Sequence, residues 1–386
     1  MTGFGGQAHR KTNNSSKKPQ LNFQKWFNQA IYYHQTGRLR EAESIYKKMI
    51  DAGTSDPAVF CNLGIIFKNS GRIKESLGCY EQALNFEPED PKIYSNIGKL
   101  YRDISNLDQA LQFTLKSLDL DPVSSTTQMN LGSIYRDLGQ TDKALIATVK
   151  AIELDTGSIE ALQNLKNLAS DLKISSSNRN YARIAYEKLL NCDDLSHRKL
   201  CPLFIQEYIE DIQKAAKLNP IISDQNYTFH KLASDWRFRK SLTLLIPPHQ
   251  NIEEFLSRLR KEFLIQAINN NIITKSLRPL LEALATQCFL NEYVYWQSEE
   301  EKKWKENLIE KARKSKAAFN QYLPVIGCYI PIHYIINGED ELDKYPITSD
   351  ESRAFIDTQY KEVQEEKATK TLLRSSEKIF DTDSLA

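Results

Sequence analysis

Five asparagines, Asn28, Asn62, Asn96, Asn130 and Asn164, stand 34 residues apart along a chain of 386. A carboxamide donates and accepts at once, so a row of them can pair with peptide groups in either sense. Beside them run two more columns at the same interval. One is polar or acidic (Gln35, Asn69, Asp103, Asp137) and the other basic or imidazole (His34, Lys68, Arg102, Arg136). Taken together these side chains suit the holding of an extended polypeptide backbone, with charge at the edge of the binding face. An amide column equally steadies neighbouring helices, and charged columns equally serve as solvated surface, so both accounts stand at this point.

Residues that would support covalent chemistry are scarce. Glu292 and Tyr293 have the types of an acid–base pair and His333 that of a general base. A polar helix cap accounts better for Glu292, and a packed imidazole accounts better for His333. Six cysteines (Cys61, Cys79, Cys192, Cys201, Cys288, Cys328) lie far apart with no Cys-x-x-Cys pair, which suits reduced thiols rather than disulfides or a zinc site. Beyond Gly157 only Gly327 and Gly338 remain. Phosphate cradles, dinucleotide fingerprints and the turn that binds S-adenosylmethionine all use glycine for close backbone approach. The expectation is therefore a chain with no cofactor and no catalytic role of its own.

Composition narrows the partners. A net charge of +1 creates no field for nucleic acid or an anionic membrane, and 41% apolar with 26% charged residues is ordinary for a globular protein. The longest apolar stretch, residues 323–336, is too short to span a bilayer and contains Pro324, Pro331 and His333. Residues 1–20 are rich in Gly, Asn, Ser and Lys and read as a disordered lead. A cytoplasmic protein is expected.

The elements that position the asparagines follow from the same 34-residue interval. Gly64, Gly98 and Gly132 recur at it, as do Phe67, Tyr101 and Tyr135, then Phe60 and Tyr94, then Pro88 and Pro122. Ala42, Ser76, Ala110 and Ala144 form a second small column, with Gly37, Gly71 and Gly139 five residues before three of them. Small residues let two helix backbones approach, aromatics fill the groove beside them, and proline stops one unit and opens the next. Each unit is then a pair of amphipathic helices, neither able to bury its apolar face alone. At about 100° per residue, Tyr94, Ile97, Gly98 and Tyr101 define a packing side from which Asn96 points about 150° away.

This pattern resembles the tetratricopeptide repeat family over residues 21–172. Four units are expected at 23–56, 57–90, 91–124 and 125–158, then a capping helix over 159–172. Gln29 departs from the pattern where Leu63, Ile97 and Leu131 are apolar, and Lys166 stands where other units place Gly or Ala. The resemblance implies an all-α superhelix of helical hairpins that binds protein or peptide. The amide column is similar to the inner surface of the repeats in O-linked N-acetylglucosamine transferases, which implies the same use. A glycosyltransferase would also need two nucleotide-sugar domains, for which the chain has no room.

After Ser175-Ser176-Ser177 the interval is lost and the chain stays helical. Apolar residues recur at three and four over 204–215, 255–265, 277–289 and 309–322, and Trp296 and Trp304 flank a Glu/Lys run read as one half-buried amphipathic helix. A helical linker over 173–229 and a second helical domain over 230–386 are expected. Residues 241–264 and 281–300, above all the Gln287–Val294 string, resemble the helical segment that precedes the catalytic domain in bacterial repeat-containing methyltransferases. That resemblance implies a substrate-recognition or regulatory half, docking through Asn291, Glu292 and Tyr293 onto a methyltransferase domain on another chain. The leading expectation remains a non-catalytic protein-binding scaffold.

Overall fold

The computed structural model describes residues 17–271, 273–336, 345–361, 363–365 and 367. Among them the regular structure is helical throughout, with no strand. The chain divides into two compact units, residues 1–165 and 166–386.

The first unit is built from α1 (Lys17–Gln35), α2 (Leu39–Asp51), α3 (Pro57–Asn69), α4 (Ile73–Phe86), α5 (Pro91–Asp103), α6 (Leu107–Leu120), α7 (Ser125–Asp137) and α8 (Thr141–Leu154), with α9 (Ile159–Leu168) beginning in it. The helices pack as the pairs α1–α2, α3–α4, α5–α6 and α7–α8, the hairpins that the 34-residue interval predicts. α1 opens at Lys17, inside the expected lead; the rest of that lead lies outside the described residues. Pro19 sits in its first turn, where a missing N–H costs nothing.

Helix starts follow from local chemistry. The Asp56 and Asp90 carboxylates accept from the Ala58 and Lys92 amides at 2.9 and 2.8 Å, each ahead of a proline at the first helical position. Within each hairpin the turn needs a left-handed residue: Gly37, Gly71 and Gly139 have φ of +76°, +74° and +71°. In the third unit Ser105 holds the same place at φ +61°, a conformation that disfavours a side chain.

The small columns are the helix contacts. A Cβ on Gly98 would collide with the Thr114 hydroxyl and come within 3.2 Å of the Ala110 carbonyl. One on Gly132 would stand 2.5 Å from Thr148 Oγ1. Ser76, the exception in an alanine column, donates its buried hydroxyl to the Gly64 carbonyl at 2.8 Å.

The second unit holds α10 (Arg179–Leu190), α11 (Cys201–Ala215), α12 (Tyr227–Ser234), α13 (Trp236–Leu242), α14 (Gln250–Ile268), α15 (Arg278–Leu290), α16 (Glu299–Ala312), α17 (Lys316–Gly327) and a last short helix over Asp350–Ile356. α15 is its centre, packed by α13, α14, α17 and the 350–356 helix. Residues 280–288 are all buried there, Glu282 and Gln287 included.

Two expectations are corrected in this unit. The apolar pattern over 309–322 is two helices, because Ser315 takes an extended conformation and caps α17 through the Ala318 amide. The spacing stays in phase across the break and so hides it. Trp296 lies outside α16, which starts only after Ser298 and Glu301 form a reciprocal capping box.

Candidate functional site

The first helices of successive hairpins lie side by side, α3 with α5 and α5 with α7. The five asparagines lie on α1, α3, α5, α7 and α9, and their surroundings differ.

Asn130 is buried and donates to Ser95 Oγ at 3.1 Å, joining α7 to α5. Asn164 does the same from α9 to α7, donating to Ser133 Oγ at 2.9 Å, while its oxygen accepts from Arg136 at 3.5 Å. These two amides clip neighbouring hairpins together. Asn62 is half-buried against the Tyr46 phenol, which burial pushes up to about 12 while the Asn62 amide pulls the other way. Asn28 is exposed and accepts from Gln24 of its own helix at 3.1 Å. Asn96 is half-buried and makes no hydrogen bond to another described side chain.

The charged columns pair with one another. Lys68 reaches Asp103 at 2.8 Å and Arg102 reaches Asp137 at 2.7 Å, each from one hairpin to the next. Arg136 contacts Asp137 at 3.3 Å. Basic and acidic columns therefore form rungs between hairpins rather than a free positive edge. The corresponding positions of the first step carry His34 and Asn69, which form no ion pair. Burial lowers the His34 pKa and keeps the imidazole neutral. Gln35 and Asn69 are exposed.

Sequence reasoning passed over two contributors. Ser95 and Ser133, the hydroxyls that hold Asn130 and Asn164, sit at different positions within their repeats, so no single column contains both. Lys92 and Lys99 are exposed on α5, four residues before and three after Asn96. That spacing puts them on the same helix face as the uncommitted amide. Spacings of four and three around one asparagine were a signal available in the sequence.

Family profiles match the same helices. The profile described as tetratricopeptide repeat covers residues 91–124 and 125–157, and a second, described as TPR repeat, covers 64–105. Residues 64–157 are tetratricopeptide repeats. The first of those segments is the α5–α6 pair and the second the α7–α8 pair, so the tetratricopeptide interval and the observed hairpins coincide. Among solved structures, MamA is 21% identical over 41% of this chain and 93% of its own, with a TM-score of 0.35. YrrB, described as a TPR protein with an unusual peptide-binding site, is 17% identical over 43% and 86%, at 0.34. PilF of Pseudomonas aeruginosa is 15% identical over 56% and 98%, at 0.41. No curated protein sequence matches the chain.

The second unit places the other candidates. Asn291 caps α15, and Glu292 and Tyr293 follow it at φ +51° and +55°. The Glu292 and Tyr293 amides donate back to the Phe289 and Cys288 carbonyls at 2.9 and 3.0 Å, closing the helix as a Schellman turn does. Glu292 is exposed and beyond the helix rather than on it. The Tyr293 hydroxyl donates inward, to the Gly327 carbonyl and Gln359 Oε1, both at 3.2 Å. His333 is half-buried against the Tyr334 ring at 4.1 Å, and burial lowers its pKa. Among the described residues no group of three or more His, Cys, Asp or Glu side chains is placed to hold a metal, and no helix is long and apolar enough to cross a membrane.

Proposed function

We propose that the repeat array is a protein-binding scaffold that holds an extended polypeptide along the face of its first helices. The observation that carries this reading is the contrast between Asn96 and its neighbours in the same column. Asn130 and Asn164 are engaged in joining hairpins, whereas Asn96 points off the packing side with its amide uncommitted, between exposed Lys92 and Lys99. An amide pairs with a peptide group of any sequence, and the two ammonium groups add preference for a carboxylate nearby. The reading assigns binding to Asn96, with Asn62 and Asn28 beside it. Asn130, Asn164 and the charged rungs take a framework role.

The test compares two single substitutions in the same column. Asn96→Ala should leave the melting temperature close to wild type and weaken recovery of partners from the native cell, by about 1 kcal/mol for each ordinary hydrogen bond lost. Adding Lys99→Ala should weaken it further. Asn130→Ala should instead lower stability by about 1 kcal/mol, because the amide bond from α7 to Ser95 of α5 is lost. Unchanged partner recovery on Asn96→Ala, with stability falling as for Asn130→Ala, would sink the assignment.

A further inference from the structure

Between α15 and α16 the chain displays two large apolar side chains to solvent, Val294 at 68% and Trp296 at 79% exposure. Tryptophan is seldom left so bare, because its indole offers more apolar area than almost any other side chain. Tyr295 between them points the other way and is buried. The alternation puts Val294 and Trp296 on one side of the segment.

The frame beneath them is stiff. The Tyr295 hydroxyl donates to Gln287 Oε1 at 2.9 Å, and its ring lies under the Arg260 guanidinium at 5.4 Å. Arg260 is itself buried and donates to the Trp296 carbonyl at 2.9 Å. Tyr293 is tied to Gly327 and Gln359 on one flank, and the Ser298–Glu301 capping box closes the other. Two successive side-chain-bearing residues, Glu292 and Tyr293, are held in left-handed backbone conformations. Such conformations persist only where the surroundings over-determine them. The segment is therefore preorganised, and an exposed apolar pair on a preorganised frame loses little conformational freedom on binding.

The charge around the pair selects the partner. Glu292, Glu299 and Glu300 are exposed on the same short stretch. Lys302 offsets Glu299 alone, at 2.6 Å. Carboxylates beside an apolar tip disfavour an anionic bilayer surface, and two side chains are too few for the broad apolar face that membrane-lying segments use. We infer that Val294 and Trp296 form a docking knob for a second protein, one that offers an apolar pocket rimmed by lysine or arginine. The inference is independent of the groove on the repeats.

The experiment places the photo-crosslinker p-benzoylphenylalanine at position 294 or 296 of the full chain, with exposed position 303 as control, in the cell that makes the protein. The expected result is a protein adduct specific to 294 and 296, whose crosslinked peptide maps to an apolar pocket flanked by Lys or Arg. Binding of that purified partner should then fall at least about 10-fold on Trp296→Ala and weaken as salt is raised. It should stay unchanged on Asn96→Ala. Because the indole is exposed and Arg260 holds only the backbone, Trp296→Ala should melt with wild type, so lost binding is not lost folding. The inference is overturned by an adduct no stronger than at 303, by a lipid adduct, by a pocket rimmed with acids, or by a partner indifferent to Trp296→Ala.

Discussion

The two units differ in the size of the polar side chains they bury. In the repeat array the buried polar side chains are small: Ser76, Ser95, Thr114, Ser117, Thr127, Asn130, Ser133 and Thr148. Those with partners bond within their own hairpin or to the next one. In the second unit small buried polar residues recur (Asn178, Asn226, Ser241, Thr243, Thr286, Ser352), and beside them stand six long and often charged ones: Arg260, Glu282, Gln287, Glu301, Glu351 and Gln359. They join segments far apart in the chain. Glu282 accepts from Arg278 at 2.9 Å, from Tyr345 at 2.7 Å and from Ser352 at 2.8 Å, and Arg239 meets Glu351 at 2.6 Å. Periodic hairpins touch only their neighbours, so each contact is already specified by the repeat. Aperiodic helices have many ways to pack, and directional polar bonds decide which ones meet.

Glu282→Ala tests that contrast most severely. It strips three donors of one buried acceptor, and removing one partner of a buried ionic cluster typically costs about 3–5 kcal/mol. Chemical denaturation of the full chain should show the loss. A cost below about 1 kcal/mol would mean that the second unit is held by apolar packing alone, as the array is.

Within the array the equivalent weak point is steric. Gly98→Leu forces a side chain into a gap that a Cβ already overfills, at a cost of about 3 kcal/mol. Exposed Lys92→Ala should change stability by no more than about 0.5 kcal/mol. Equal melting temperatures for the two would show that the contact lies elsewhere on the helix.

The smallest effect concerns the charged rungs. A double-mutant cycle on Arg102→Ala and Asp137→Ala should return a coupling of about 0.2–1 kcal/mol, since both side chains keep about a quarter to a third of their area in solvent. The coupling should shrink as salt is raised. A coupling above about 2 kcal/mol would place these pairs with the buried clusters of the second unit and blur the distinction between the units.

How much was legible differs by unit for the same reason. The four hairpins, their turns and the asparagine column were readable because their small, aromatic, proline and amide residues recur 34 residues later. Even there the roles within the column were hidden: Asn130 and Asn164 reach serines in different positions of the repeat, and side-chain reach is set by the twist between hairpins. In the second unit the helices over 204–215, 255–265 and 277–289 appeared as apolar spacing. The break at Ser315 did not, because the spacing continues through it. The displaced Trp296 did not either, because Ser298 and Glu301 set the helix start by a cap that the Trp296–Trp304 pattern ignores.

What the sequence by itself determined is the class of the fold and the repeat, through small, aromatic and proline residues whose spacing admits one kind of helix pair. Only the tertiary structure decided which polar groups remain available. Asn130 is closed off by Ser95 and the charged columns by each other, while the half-buried Asn96 amide makes no such bond; the tertiary structure likewise leaves apolar Val294 and Trp296 exposed. The physical reason is that residue type and spacing fix which face a side chain occupies. Whether a hydrogen bond or an ion pair consumes it depends on distances of 3 to 4 Å between segments that spacing alone cannot place.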